Sequence, residues 1–102
     1  MYGLFGKMKA HPGQRDALIG HLLHAADLLR DLDGCYQYII GSDLQDADGI
    51  WVSEVWRSQA DHQDSLTHDA VKSLIAVARP LIADMPLHYE YTPLGGKGLH
   101  SG

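Results

Sequence analysis

Residues 50–56 are apolar at both odd and even positions, and this feature constrains the fold more than any other. Their composition favours a β-strand, in which successive side chains point to opposite faces. Trp51 and Val55 therefore face one side of the predicted strand, and Val52 and Trp56 face the other. Helices can cover only one face of a small sheet, so the second face needs a partner. The sequence thus predicts association, most simply of two copies about a two-fold axis.

The predicted elements follow the order β-α-β-β-α-β. Leucine, isoleucine and alanine recur at helical spacing after Pro12, and Asp46-Ala47-Asp48-Gly49 forms a turn between two β-rich runs. We expect strands at residues 2–10, 35–43, 50–56 and 87–92, and a helix at 14–32. A short helix is expected after Ser58, and a longer one after Thr67 whose last turn is bent or shortened by Pro80. This order predicts an α+β fold of the ferredoxin-like type with a split second helix. Residues 1–93 form the predicted domain, and the glycine-rich residues 94–102 form a flexible tail.

Composition narrows the possible partners. A chain of 102 residues fits one domain, and its net charge of −5 comes without a lysine or arginine cluster. Nucleic acid and acidic membrane surfaces are therefore unexpected partners, and a small apolar molecule is the expected one. No apolar run could span a bilayer and no secretory signal is present, which predicts a cytoplasmic protein. The single cysteine, Cys35, is interpreted as a small buried apolar residue.

Glu54 lies between Val52 and Trp56 on one face of the predicted strand. A carboxylate among apolar neighbours is costly unless it is hydrogen-bonded. One interpretation gives Glu54 a raised pKa and a role as proton acceptor or ligand anchor. The alternative places it near a sheet edge or beside a lysine or arginine. Trp56 either lines a pocket or fills the core.

The histidines do not predict a metal site. His21 and His24 are three residues apart on the first helix, and the segment from His62 to His68 has no recognised ligand spacing. We interpret both groups as solvated helix surface. His62 is the exception, since a short helix after the third strand can carry it over the sheet, where a neutral imidazole relays protons. Nucleotide-binding, GxSxG and CxxC motifs are absent from the sequence.

Several segments and their order resemble one known family. They are His-Pro-Gly at 11–13, Gly-Cys-Tyr-Gln-Tyr at 34–38, the Glu54-x-Trp56-x-Ser58 pattern, and Lys-Ser-Leu at 72–74. Together they resemble the antibiotic biosynthesis monooxygenase family over roughly residues 2–93. The resemblance implies a dimeric α+β barrel with a cavity between each sheet and its own helices. It also implies, as in some members, oxidation of phenols or quinols by molecular oxygen without a cofactor.

The resemblance assigns residues to the site. Trp56 matches the cavity-lining tryptophan of the polyketide-oxidising members, whereas Val52 and His62 stand where those members have asparagine and tyrosine. The residues of haem-degrading members have no match. The expected function is cofactor-independent oxidation of an aromatic phenol, quinol or polyketide-like substrate. The alternatives are a non-catalytic dimeric binder of an apolar metabolite and a structural partner domain without a closed cavity. The candidate catalytic residues are Glu54 and His62, and the candidate substrate-binding residues are Trp56, Tyr38, Leu4, Gly6, Met8, Val52, Leu22 and Leu74.

Overall fold

The structure, a computed structural model, describes residues 1–99. Its elements follow the predicted order and confirm the ferredoxin-like α+β fold. They are β1 (Tyr2–Ala10), α1 (Arg15–Leu29), β2 (Cys35–Ser42), β3 (Gly49–Trp56), α2 (Gln59–Ser65), α3 (Asp69–Ala78), a 3₁₀ turn (Arg79–Leu81) and β4 (Ile82–Tyr91). Among residues 1–99, no helix is both long and apolar enough to cross a membrane.

The four strands form one antiparallel sheet in the order β2-β3-β1-β4. The register aligns Leu4 with Glu54 on β3 and with Glu90 on β4, and it aligns Glu54 with Tyr38 on β2. Directly opposed residues share a face of the sheet. A single row across the sheet therefore carries two carboxylates and a phenol on the face toward the helices.

The helices cover one face of the sheet and bury two apolar clusters against it. The larger cluster includes Leu18 and Ile50, which are fully buried, and the smaller one packs Trp56 against Leu29 and Val71. Burying a large apolar side chain stabilises a fold by roughly 1.5–3 kcal/mol. Trp56 therefore belongs to the core of the protein as well as to the face that carries Glu54.

The end of α2 and the start of α3 differ from the prediction. Ser58 caps α2 as expected, since its hydroxyl accepts a hydrogen bond from the Asp61 N–H at 3.1 Å. Thr67, however, does not cap α3, which begins at Asp69 after His68. The Thr67 hydroxyl instead donates to the Asp64 carbonyl at 2.7 Å. It therefore satisfies the last turn of α2 and is not available to the next helix.

Helix α1 ends at Leu29, earlier than the predicted residue 32, and β4 begins at Ile82, earlier than the predicted residue 87. The early start of β4 is unexpected because Pro86 cannot donate to a sheet ladder. Strand β4 is an edge strand, and its register against β1 shifts between Lys7 and Lys9. Edge strands and bulges are the places where a sheet tolerates proline, so the strand continues through Pro86.

The face of the sheet that points away from the helices, called the outer face below, is apolar as predicted. Phe5, Ile39 and Tyr89 are about half exposed there, at 40%, 54% and 55%. The Phe5 ring stacks on Trp51 with ring centroids 5.3 Å apart. At the C-terminal end of the chain, Gly98 O accepts a hydrogen bond from Gln37 Nε2 at 3.0 Å. Residues 100–102 of the predicted tail lie outside the described residues, and the division at residue 93 stays a prediction.

An ionic cluster holds the β2–β3 hairpin loop against β1. The Lys7 ammonium lies 2.9 Å from Asp43 Oδ2 and 3.1 Å from Asp46 Oδ2. Trp51 Nε1 also donates to Asp43 Oδ2 at 3.0 Å. A backbone N–H from Asp48, and then Lys7, hold the pKa of Asp46 down at about 2. The Lys7 charge is thus compensated within the fold.

Gly6→Ala is expected to lower the free energy of unfolding by about 1–3 kcal/mol. A Cβ at Gly6 would lie 2.8 Å from the Leu87 carbonyl oxygen, so β4 would have to move away from β1. Urea unfolding measures the change. Gly41→Ala is the matched control, because a Cβ at that strand position meets no atom within 4 Å. Equal stabilities of the two variants would contradict the close approach of β1 and β4.

Candidate functional site

Two adjoining cavity lobes lie on the face of the sheet that the helices cover, the first beneath the helices and the second mainly over the strands. The first lobe, of about 140 Å³, is lined by α1, α2, α3 and Trp56. The second lobe, of about 160 Å³, lies over β1 and β4. Tyr38, Glu54 and His62 line both lobes. Together the lobes approach the lower end of the volume range of small-molecule sites, roughly 300 Å³.

Glu54 is a largely buried carboxylate at the boundary between the lobes. Its side chain is 16% exposed, and β3 is paired on both sides, so the sheet-edge alternative is wrong. Trp56 Nε1 donates a hydrogen bond to Glu54 Oε1 at 3.0 Å. Burial raises the pKa of Glu54, and the Trp56 hydrogen bond and the charge of His88 oppose this rise only in part. A carboxylate with a raised pKa is a better proton acceptor than an exposed one.

A short, tightly bonded connection between β3 and α2 brings His62 to the same boundary. The Arg57 guanidinium binds both carboxylate oxygens of Asp61, at 2.8 and 3.0 Å. The Ser58 hydroxyl donates to Asp61 Oδ2 at 2.8 Å, and the Arg57 N–H donates to the Gly34 carbonyl at 2.8 Å. These bonds fix the direction in which α2 leaves the sheet.

The His62 ring lies over Trp56 and beside Glu54. Its centroid is 5.3 Å from that of Trp56, in an edge-on arrangement, and 5.9 Å from that of Tyr2. His62 Nε2 lies 3.9 Å from Glu54 Oε1. Burial lowers the pKa of His62; the charge of Glu90 opposes this shift. The imidazole is therefore mainly neutral at pH 7 and can accept a proton.

Tyr38 and Cys35 remain protonated beside Glu54. Burial, and then the charge of Glu54, raise the pKa of Tyr38 well above that of a free tyrosine. The same two causes raise the pKa of the Cys35 thiol to about 11. The Tyr38 hydroxyl therefore keeps its proton and can donate a hydrogen bond. Cys35 is half-buried and protonated, and the thiolate is the nucleophilic form of cysteine.

The structure brings together every residue that the sequence analysis proposed for the site. The first lobe contains Leu22, Leu74 and Trp56, the second contains Leu4, Gly6, Met8 and Val52, and both contain Tyr38, Glu54 and His62. The catalytic and binding roles assigned to these residues stay predictions. Within residues 1–99, no group of three or more His, Cys, Asp or Glu side chains is placed to hold a metal ion.

Sequence reasoning missed several lining residues. His21 was expected on solvated surface, and this was wrong, because it is half-buried and lines the first lobe, whereas its neighbour His24 is exposed. His88 and Met85 line the second lobe. Alternation along β4 gave no signal for His88, because its neighbour Leu87 lines the same lobe.

Comparisons with known proteins agree with this architecture. The model of the family described as "Antibiotic biosynthesis monooxygenase" matches residues 1–77. A crystal structure from Chloroflexus aurantiacus J-10-fl that carries this family name is 46% identical, with 97% of this chain and 98% of that chain covered and a TM-score of 0.90. No curated protein matches the chain significantly.

More distant structures share the fold alone. One from Deinococcus radiodurans is 22% identical, with 99% of this chain and 100% of that chain covered and a TM-score of 0.80. One from Caulobacter crescentus CB15 is 18% identical, with 92% of this chain and 90% of that chain covered and a TM-score of 0.84. The family model spans most of the chain, and the Chloroflexus structure matches it from end to end. On these grounds the chain belongs to the antibiotic biosynthesis monooxygenase family.

Proposed function

We propose that this protein oxidises an aromatic phenol or quinol with molecular oxygen and needs no cofactor. The observation that carries the proposal is the buried Glu54 carboxylate, which lies beside a neutral His62 at the boundary of two apolar lobes. Family membership supports the reaction class. Removal of a proton from a phenol gives an electron-rich anion that reduces oxygen directly, so the protein has to supply a base and a dry pocket.

The proposed reaction converts a phenol and O₂ into a quinone and water. Glu54 accepts the phenolic proton, and the Tyr38 hydroxyl donates a hydrogen bond to the resulting oxyanion. A carbon–oxygen bond forms at the ring carbon opposite the hydroxyl, and the O–O bond breaks. One oxygen atom remains in the quinone. The other leaves as water with the phenolic hydrogen and the hydrogen of that ring carbon, so O₂ takes up the two electron pairs that the substrate loses.

Oxygen uptake tests the proposed reaction. Purified protein is supplied with a panel of phenols and quinols under ¹⁸O₂, and the products are analysed by mass spectrometry. We expect one labelled oxygen atom in the quinone and one in water for each O₂ consumed. Absence of protein-dependent oxygen uptake across the whole panel would contradict the proposal.

A non-catalytic binding protein for an apolar metabolite is the second candidate function. Val52 favours it, because this buried apolar residue of the second lobe stands where the oxidising relatives have asparagine. Binding of the same panel under anaerobic conditions separates the two candidates. Affinity without any turnover under air supports the binding protein, whereas turnover supports the enzyme.

We also propose that two copies pair through the outer face. Ile39, Phe5 and Tyr89 lie in one row across the sheet, since Ser53 pairs with both Ile39 and Phe5, and Phe5 pairs with Tyr89. An exposed apolar row of this kind is typical of a protein interface. The two-fold pairing predicted from the strand pattern would bury it.

Ile39→Lys is expected to weaken this dimer roughly tenfold or more, because a buried interfacial charge is costly. Light scattering after size-exclusion chromatography over a dilution series measures the dissociation. Leu44→Lys is the matched control, since Leu44 is 99% exposed in the hairpin loop and lies off the sheet. A native protein that stays monomeric at high concentration would contradict the proposed pairing.

A further inference from the structure

The volumes of the two lobes limit what each can hold. They measure about 140 and 160 Å³. An apolar protein cavity of about 150 Å³ accommodates benzene. Each lobe therefore matches one six-membered ring, and the two lobes together match two linked rings.

Polar groups concentrate where the lobes meet. Tyr38, Glu54 and His62 line both lobes, whereas the remaining walls are mainly apolar. Away from that boundary the first lobe also carries His21 and Ser65, and the second carries Lys7. Ser65 and Lys7 already have partners within the protein. The Ser65 hydroxyl of the first lobe donates to the His62 carbonyl at 2.6 Å, and Lys7 of the second lobe pairs with two aspartates. Exposed His88 lies at the rim of the second lobe.

We propose that the ligand of this site is a two-ring molecule that places one ring in each lobe and carries its ionisable hydroxyl at or beside the junction of the rings. The inference rests on the proposed function for the identity of the hydroxyl as a phenol. A hydroxyl at the junction meets the Glu54 carboxylate and the Tyr38 phenol. A hydroxyl at the far end of either ring meets walls that are mainly apolar, with His21 as the polar exception in the first lobe, and burying it there without a partner is unfavourable.

A pair of isomers tests the proposal. In 2-benzylphenol the hydroxyl lies beside the link between the rings, and in 4-benzylphenol it lies at the far end of one ring. The two have the same mass and nearly the same acidity. Isothermal titration calorimetry under anaerobic conditions is expected to show at least tenfold tighter binding of 2-benzylphenol. The single-ring fragment 2-methylphenol is expected to bind at least tenfold more weakly than 2-benzylphenol.

Variants that fill one lobe provide a second test. Ala25→Leu narrows the first lobe, and Met85→Trp narrows the second from an exposed edge-strand position. Each is expected to remove most of the advantage of 2-benzylphenol while 2-methylphenol still binds in the open lobe. Leu23→Trp is the control, because Leu23 is exposed on α1 and lines neither lobe.

The outcomes separate this inference from the proposed reaction. Equal affinities for the two isomers, tighter binding of 4-benzylphenol, or no advantage over 2-methylphenol would overturn the two-ring inference. Tight binding of 2-benzylphenol without oxygen uptake would overturn the reaction and leave the two-ring inference standing. Unchanged affinities in both lobe-filling variants would also overturn the inference.

Discussion

Glu54→Gln is expected to lower kcat/KM for phenol oxidation by about 100-fold to 10,000-fold, the usual contribution of a general base. The amide keeps the size of the side chain, and its oxygen can still accept the Trp56 Nε1 hydrogen bond seen at 3.0 Å. It cannot accept a proton at neutral pH. Asp31→Asn, an exposed change of the same chemical kind away from the cavity, is the control and should leave kcat/KM unchanged.

The pH dependence gives a second readout for the same variant. In the proposed reaction turnover requires ionised Glu54, so kcat/KM of the native protein should rise with pH through the pKa of Glu54, which burial raises from its ordinary value. This rise, the acid limb of the pH profile, should be absent from the residual activity of Glu54→Gln. A native profile with no such limb, or a fully active variant, would contradict the assignment of Glu54 as the base.

The free energy of unfolding of Glu54→Gln should not fall together with its activity. The folded-state pKa of Glu54 is above its unfolded value, so its contribution to stability is present below the unfolded pKa and is lost as pH rises through the folded pKa. Glutamine never bears that charge. At pH 7 the variant should therefore be at least as stable as the native protein in urea, which separates lost chemistry from lost folding.

Trp56→Ala is expected to lower the free energy of unfolding by about 3–5 kcal/mol. Trp56 is 1% exposed and packs with Leu29 and Val71, so its loss leaves a large cavity between the sheet and the helices. Urea unfolding followed by circular dichroism measures the change. A loss of less than about 1 kcal/mol would contradict the tight packing of this wall.

Trp56→Phe is the companion variant, because it keeps an aromatic ring and removes the indole N–H. The loss of stability should be smaller than in the alanine variant. The hydrogen bond from Trp56 is what chiefly opposes the raised pKa of Glu54. The acid limb of kcat/KM should therefore move to higher pH in the phenylalanine variant, whereas a purely structural role for Trp56 would leave the limb in place.

The order of elements could be predicted from the sequence because the apolar spacing changes clearly between helical and alternating patterns. The helix and strand boundaries that were predicted wrongly depend on tertiary context. Pro86 suggests the end of a strand unless β4 is known to be an edge strand with a bulge. Thr67 could cap either neighbouring helix end, and only the geometry shows that it bonds back to α2.

The centre of the candidate site was predictable for a local reason. Glu54 and Trp56 share a face of β3 by alternation, and His62 follows within the first turns of a helix capped by Ser58. His21 was not predictable, because its burial depends on where α3 lies against α1. His88 was missed because its placement requires the β1–β4 register, which sequence spacing does not determine.

The tightly bonded connection between β3 and α2 has a consequence for how this family could diversify. The proposed base Glu54, the indole of Trp56 that donates to it, and the imidazole of His62 all lie within residues 54–62, on one continuous segment. The walls of both lobes come from distant parts of the chain. Mutations in those walls can reshape the space offered to a ligand without disturbing this segment, so the choice of substrate can evolve separately from the proposed proton transfer.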